Sequence, residues 1–494
     1  MIDEVYTVAK ANRFIEKHKN RVQSQYREQY HFMAPLGWIN DPNGFVYFRG
    51  EYHLFYQYYP YDSQWGPMHW GHAKSVDLLH WDHLPVALAP DQWYDKEGCF
   101  SGSAIEKDGK LYLMYTGHRI EKELVFQTQC IAVSEDGINF VKLESNPVID
   151  DRLLKGEGSP HDFRDPKVIK HGETFFAVIA TKTIDNRGKI VMFQSENLMD
   201  WQFYSVLLEG LDGQGIMWEC PDLFHLDGKD VLIMSPIQIE KQQFQYYNIS
   251  STMACIGRVD WEKGVFRVET SKEIDFGLDF YAPQTLEDSK KQRIMIAWMQ
   301  MWGRTIPPHE LGHGWAGTMT LPRELHVKDG QLIQKPVSLI YGDIEYQYGF
   351  ENIEVSNDMV IFKKVVHDNT YMHLVADLSE SQSFTMEFAK NTKEAIICHY
   401  EVEGNLFSIS REKVGHEIIG DEKPSLNKRT MEVPLVSNQL ILEIFRDTSS
   451  LEFFINGIES MTLNFYEIEK GNDLSFNAVG KATIQSFEIG EVKV

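Results

Sequence analysis

Five stretches of this chain share one grammar, and that repetition constrains its fold more than any other feature. Each opens with a polar knot, passes through a short strand and a turn carrying Gly or a charged pair, and ends in a very apolar strand. The knots are Asn40-Asp41-Pro42, Phe100-Ser101-Gly102, Arg164-Asp165-Pro166, Glu219-Cys220-Pro221 and Tyr281-Ala282-Pro283. The apolar strands include Leu111-Tyr112-Leu113-Met114-Tyr115, Phe175-Phe176-Ala177-Val178 and Val231-Leu232-Ile233-Met234. The spacing is roughly 60 residues, above the ~40–50 of common propeller blades, and leaves room for long loops. Three units add a mark for a fourth strand, a polar residue followed by Trp or Phe: His80-Trp81, Asn139-Phe140 and Asp200-Trp201. Five units of four strands predict an all-β fold, a five-bladed β-propeller. An irregular barrel or a pair of sandwiches is the alternative; the periodicity favours closure by radial repetition.

The repeats end near Pro336. Beyond it, alternating runs such as Ser383-Phe384-Thr385-Met386-Glu387-Phe388 and Leu440-Ile441-Leu442-Glu443-Ile444-Phe445 predict a C-terminal antiparallel β-sandwich. Ser450 to Ile455 reads as a strand closed by an Asn456-Gly457 turn. Residues 1 to about 30 read as a short, polar N-terminal helix on a surface, with Ala9 to Lys17 and Arg21 to Glu28 as its parts. The expected domains are therefore 1–30, a propeller over 31–340 and a sandwich over 341–494.

Charge and cysteine usage narrow the function. Against 48 basic residues stand 72 acidic ones, a net charge of −24, which disfavours general binding to nucleic acid or an anionic membrane. No apolar run approaches the ~18 residues of a membrane helix. Five scattered cysteines without a CxxC pair suit reduced thiols. The acidic, polar start Met1-Ile2-Asp3-Glu4 does not resemble a secretory signal. A cytoplasmic protein is expected, a monomer or homodimer, with no cofactor and no metal.

In a propeller the opening strand of each blade lies nearest the axis, so the knots converge on one mouth of the channel. Three carry a carboxylate: Asp41, Asp165 and Glu219. A single Asp-Pro is ordinary at a strand start; three carboxylates at matching blade positions point to chemistry. Crowded in a shielded cleft they repel one another, so one pKa rises while another stays low. Cleaving a glycosidic bond needs that split, one carboxylate attacking and one carboxylic acid protonating the leaving oxygen. Around them Trp38, Trp65, Trp70, Phe100, Trp218, Tyr281 and Trp302 offer apolar faces, and Asn40, Gln57, Ser101 and Arg164 offer hydrogen bonds. That mixture suits a small sugar, which presents C–H patches and hydroxyls together. Arg164 and Asp165, as neighbours, would face opposite sides of a regular strand. Both line the site only if the chain is irregular there.

The stretch Trp38-Ile39-Asn40-Asp41-Pro42-Asn43-Gly44 resembles the signature of glycoside hydrolase family 32, the invertase and β-fructofuranosidase family. Phe100-Ser101-Gly102-Ser103, Phe163-Arg164-Asp165-Pro166, Trp218-Glu219-Cys220-Pro221, Asp279 to Gln284 and Trp315 to Leu325 follow in that family's order. The resemblance implies a propeller plus sandwich and a retaining hydrolase of terminal β-D-fructofuranosides: sucrose, sucrose 6-phosphate or short fructo-oligosaccharides. It implies Asp41 as nucleophile, Glu219 as general acid/base and Asp165 as transition-state stabiliser. Trp38, Ile39, Asn40, Gln57, Trp65, Phe100, Ser101, Arg164, Tyr281 and Trp302 become the candidate substrate-binding residues. The missing leader and the cysteine pattern look most like the family's intracellular bacterial branch. A phosphorylated leaving group would want a cation, with Arg187, Arg304 and His313 as loop candidates.

Three other readings compete. Fructosyl transfer differs only in whether water or a sugar hydroxyl reaches the intermediate. A non-catalytic carbohydrate-binding propeller would not need all three acids. His309-Glu310-Leu311-Gly312-His313 matches the H-E-x-x-H zinc-protease pattern. Pro307-Pro308 before it and Gly312, Gly314 and Gly317 after it oppose the helix that chemistry requires.

Overall fold

The computed structural model describes residues 6–422 and 426–493. The expected five-bladed propeller is present. Blade 1 holds Gly37–Phe48, Glu51–Tyr59, His69–Ser75 and Asp82–His83; blade 2 holds Gly98–Lys107, Lys110–Glu121, Leu124–Ser134 and Val141–Lys142. Blade 3 holds Arg164–His171, Thr174–Lys182, Gly188–Ser195 and Gln202–Glu209. Blade 4 holds Gln214–Leu226, Lys229–Ile239, Met253–Asp260 and Val265–Glu273, and blade 5 Tyr281–Glu287, Arg293–Trp298, Arg323–Lys328 and Gln331–Pro336. The ring is tied shut by Trp315–Ala316, which leaves blade 5 and pairs parallel to Gly37 and Trp38 of blade 1.

The apolar second strands are explained by burial on both faces. Alternate side chains of a strand point to opposite sides of its sheet, and in a propeller both sides meet another blade. Leu111 and Leu113 enter the core shared with blade 1, while Tyr112 and Met114 enter the core shared with blade 3. Val231 and Ile233 face blade 5; Leu232 and Met234 face blade 3.

The marks at His80-Trp81, Asn139-Phe140 and Asp200-Trp201 are turns that deliver the fourth strands, and each is built alike. Ser75, Ser134 and Ser195 accept, through Oγ, the amides of Leu78, Gly137 and Leu198. Asp77, Asp136 and Asn197 each accept the two amides that follow, those of Leu79 and His80, Ile138 and Asn139, and Met199 and Asp200. Side-chain oxygens here do the work of a backbone turn.

The N-terminal helix is shorter than expected. It runs Val8–His18, capped by Thr7 Oγ1 accepting from Lys10 N, and a 3₁₀ turn over Lys19–Arg21 ends it. Ala11 is buried between blades 1 and 5. The stretch beyond Arg21, to Glu28, is not helical, contrary to the sequence-based expectation. It is drawn out towards the second domain, where Asp447 accepts the amides of Gln29, Tyr30 and His31. Tertiary hydrogen bonds override a weak helical propensity. Residues 1–5 lie outside the described part.

The C-terminal strands form one ten-stranded antiparallel sheet that folds over a common core. Thr370–Lys390 and Asp473–Val492 run its length, bulged where the two halves meet. Met372 and Leu374 of one half and Phe384, Met386 and Phe388 of the other share that core. The Asn456-Gly457 turn is as expected, both residues having positive φ. The two domains are joined by buried charge: the Arg323 guanidinium meets Asp275 at 3.0 Å and also Glu452, and His31 lies between Asp447 at 2.9 Å and Glu452 at 2.8 Å.

Candidate active site

Every blade's inner strand breaks register with its neighbour at the knot. The bulges fall between Ile39 and Pro42, Phe100 and Gly102, Arg164 and Lys167, Glu219 and Asp222, and Tyr281 and Gln284. Asp165, Cys220 and Ala282, at one position of three successive knots, are left-handed with φ of 64°, 49° and 49°. A bulge re-aims the side chains on either side of it. This is the irregularity that lets Arg164 and Asp165 reach one site. At the third knot position blade 2 has Gly102 where the others have proline, because a Cβ there would stand 2.0 Å from the carbonyl oxygen of Met114.

Aligning the knots on that third residue corrects one expectation. Glu219 does not occupy the same position as Asp41 and Asp165; it lies one residue earlier. The second positions are Asp41, Ser101, Asp165, Cys220 and Ala282. Ser101 Oγ donates to Asp41 Oδ2 at 2.6 Å, and the Cys220 thiol stands 3.5 Å from Asp41 Oδ2 and 3.7 Å from Asp165 Oδ2. The Cys220 amide donates to Asp165 Oδ2 at 3.1 Å. The first positions are Asn40, Phe100, Arg164, Glu219 and Tyr281. Arg164 donates to Glu219 Oε1 from Nη2 at 2.8 Å and Nε at 3.1 Å, and the Tyr281 hydroxyl donates to Oε2. Asn40 Nδ2 joins the two sets by donating to Asp41 Oδ1 at 3.0 Å.

The electrostatics follow from crowding without water. Burial raises the Asp41 pKa above the usual carboxylate value; Ser101 opposes that shift and Glu219 adds to it. Asp165 is pushed up to about 7, by burial first, with Arg164 pulling down and Glu219 and Asp41 pushing up. Burial and the neighbouring carboxylates hold Cys220 well above its ordinary value, so it stays a thiol. Burial and Glu219 likewise keep Tyr281 protonated and able to donate.

The remaining sequence candidates divide. Trp38 donates through Nε1 to Asn40 Oδ1 at 2.8 Å and stacks on Trp302 at 5.8 Å. Trp65, 46% exposed, stands edge-on to Phe100 at the rim. Gln57 is buried, its Nε2 bridging Asn43 Oδ1 and the Cys99 carbonyl. Ile39 is not brought to the site; strand alternation turns it into the core between blades 1 and 5. Trp70 and Trp218 are likewise core residues.

Several supports escaped the sequence reading. Thr116 Oγ1 accepts the Asp165 amide at 3.0 Å. Gln127 Oε1 accepts from Phe163 N at 2.8 Å and Arg164 Nη1 at 3.3 Å. His118 lies flat against Phe100, with ring centres 4.1 Å apart; burial, then Arg164, lowers its pKa to about 4. Thr116, His118 and Gln127 stand on middle strands with no local signal. Cys220 did have one, its second-position place in the fourth knot.

The H-E-x-x-H stretch makes no metal site among the described residues. Its helix is one turn, Pro307–Glu310. His309 is held by Ser63 and Gln64, and His313 stacks on Tyr26. Arg304 is fully buried against Asp279 and Glu422, so it cannot meet a phosphorylated substrate. Arg187 is tied to Asp185, Glu209 and the Gly210 carbonyl.

Known proteins resemble this chain over both of its domains. The family model for the glycosyl hydrolases family 32 N-terminal domain matches residues 31–336, and that for the family 32 C-terminal domain matches 347–491. A sucrose-6-phosphate hydrolase of Zymomonas mobilis is 35% identical over 475 residues, covering 91% of this chain and 87% of its own. A raffinose invertase of Escherichia coli is 34% identical, covering 94% of each. Among solved structures, a Bombyx mori GH32 β-fructofuranosidase superposes with TM-score 0.83 at 31% identity, over 98% of each chain. A sucrose-6-phosphate hydrolase of Lactobacillus gasseri gives TM-score 0.85 at 26% identity, over 99% of each.

Proposed function

Because the chain belongs to glycoside hydrolase family 32, we propose that Asp41, Glu219 and Asp165 divide between them the hydrolysis of a terminal β-D-fructofuranoside through a covalent fructosyl-enzyme. The observation that carries this reading is the hydrogen-bonded set that unites the three carboxylates. The Cys220 thiol stands between Asp41 and Asp165, Ser101 holds Asp41, and Arg164 lies between Glu219 at 2.8 Å and Asp165 at 3.9 Å, with Tyr281 on the other oxygen of Glu219.

Asp41, fixed through both oxygens by Ser101 and Asn40, attacks the anomeric carbon. Glu219 gives its proton to the departing oxygen and later takes one from water, so two inversions give retention. The cation-like transition state is offset by the carboxylates beneath it. Burial raises the Asp165 pKa to about 7, and positive charge developing next to it favours its ionised form. That interaction strengthens in the transition state, which is what accelerates a reaction. A retaining pair requires the Asp41 and Glu219 carboxyls to stand ~5–5.5 Å apart.

The catalytic unit is residues 31–340 in this reading, and the sandwich supports it. Five free cysteines favour the cytoplasm. Among the described residues no helix is long and apolar enough to cross a membrane.

The test is a substrate panel of sucrose, sucrose 6-phosphate and a short fructo-oligosaccharide, with products followed over time. Free fructose from at least one substrate, with β-configuration at the moment of release, supports the reading. Longer fructosides in place of free fructose would reassign the protein as a transferase, and inverted product would overturn the covalent intermediate. A chelator should leave the rate unchanged.

A further inference from the structure

The inner strands continue past the knots and enclose a second cavity of about 850 Å³. Its walls are Phe45 to Tyr47, Ala104 and Ile105, Lys167 to His171, Leu223 to His225 and Thr285 to Glu287. Counted from the second residue of its knot, each wall segment lies two to six residues downstream. At ~3.3 Å per residue this places the cavity at the far end of the same channel, away from Asp41 and Glu219. Its volume falls in the ~300–1,000 Å³ range of small-molecule sites.

Its chemistry is unlike that of the rest of this acidic protein. Arg293 lines it, the side chain only 13% exposed and the guanidinium 4.8 Å over the Phe224 ring. A guanidinium has five N–H donors. Here Nε has no hydrogen-bond partner, Nη1 reaches only Thr285 Oγ1 at 3.5 Å, and the nearest carboxylate, Glu287, is 3.5 Å from Nη2. Glu287 is also held by Lys291 at 2.7 Å. Lys167 stands beside it, 9% exposed, anchored by Asp222 Oδ2 at 3.1 Å and the Thr285 carbonyl at 2.9 Å. Arg258 is exposed at the rim and forms no ion pair among the described residues. The other acid of the lining, Asp230, is occupied by His225 and the Val259 amide. A buried cation whose donors go unused is costly, and a planar fork of donors matches a phosphate.

We propose that this cavity binds a small phosphate monoester, its phosphate seated on the Arg293 fork beside Lys167 and its carbon skeleton against Phe224 and Trp261. The site is separate from the fructoside cleft and does not depend on how that cleft works.

The test uses the whole chain. Calorimetric titration with inorganic phosphate and with glucose 6-phosphate should show binding, and crystals soaked in tungstate should show an anomalous peak at Arg293. Arg293→Gln should weaken binding at least ~10-fold, the equivalent of one decade in Kd, and abolish the peak, while kcat and KM for sucrose stay unchanged. Arg258→Gln, at an exposed position where folding is not at stake, should weaken it by a smaller factor. Equal affinity for the two probes would make free phosphate the ligand, and tighter hexose phosphate would make it a phosphosugar. Either result supports a phosphate seat at Arg293; the first overturns the monoester and the second supports it. Absence of binding, binding unchanged in both variants, a tungstate peak elsewhere, or hexose phosphate displaced by fructose would overturn it.

Discussion

Arg164 and Glu219, 55 residues apart in the chain, meet through two hydrogen bonds from one guanidinium to one carboxylate oxygen, at 2.8 Å and 3.1 Å. The oxygen is thereby fixed in direction, and Tyr281 fixes the other. Replacing Arg164 by Lys keeps the charge and loses the fork. We expect kcat/KM for sucrose to fall ~10²-fold, since one charge-assisted bond is worth ~2–3 kcal/mol. A change under threefold in steady-state kinetics would deny Arg164 this role.

Asp41→Ala and Glu219→Ala should each remove most of the activity, by ~10⁴-fold or more for the nucleophile and ~10²–10⁴-fold for the acid. They differ in kind. A fructoside with a leaving group that needs no proton should restore the first chemical step in Glu219→Ala and not in Asp41→Ala. Near-normal sucrose turnover by either variant would remove the assignment.

Ser101 Oγ opposes the upward shift of Asp41 by donating to its carboxylate. In Ser101→Ala that support is gone, so Asp41 holds its proton to higher pH. The acid limb of the kcat/KM profile should move upward and the maximal rate drop ~10-fold, near the lower end of the ~1.5–3 kcal/mol of a hydrogen bond to a charged group. A pH profile identical to that of the parent would contradict this.

Asp165 makes a stability prediction of definite sign. Its pKa is about 7 in the folded protein against ~3.9 unfolded, so between those values the folded state holds more protons. Stability from this group is complete below pH ~4 and is lost as pH rises towards 7. Asp165→Asn should be inactive yet melt higher than the parent, the gap widening across that window and levelling above it. A melting difference independent of pH would refute it.

His31 acts at the junction of the domains. Burial alone would lower its pKa, but hydrogen bonds to Asp447 and Glu452 carry it up to about 10. Its contribution is fully present below the unfolded value of ~6.5 and lost as pH climbs to about 10. We expect His31→Gln to lower Tm by several degrees at pH 6 and to reduce the alkaline slope of Tm. An unchanged slope in calorimetry would separate His31 from the pH response.

Some of this was legible in the residues and some was not. Repetition at Asn40, Phe100, Arg164, Glu219 and Tyr281 settled the blade count, because a strand with both faces buried must be apolar throughout and its turns must recur. The same knots named the three carboxylates. Aligned on Pro42, Pro166 and Pro221, they also carry the one-residue offset of Glu219 and the register of Cys220 with Asp41 and Asp165. They do not show that the Cys220 thiol lies between the two aspartates, or that Arg164 and Tyr281 clasp Glu219. Ile39, Trp70 and Trp218 show the converse: their residue types fit a sugar site, but the strand pleat directs each into a core.

The chain alone therefore determined which groups are present and how many blades carry them, since periodic burial and turn chemistry are local and are written in consecutive residues. Only the folded ring decided which groups touch. The reach of Gln127 to Arg164, 37 residues on, and the seat of the Arg293 guanidinium 4.8 Å over the Phe224 ring, 69 residues before it, depend on how neighbouring blades are brought together. Contact between distant residues is set by how the blades close, and no stretch of sequence records it.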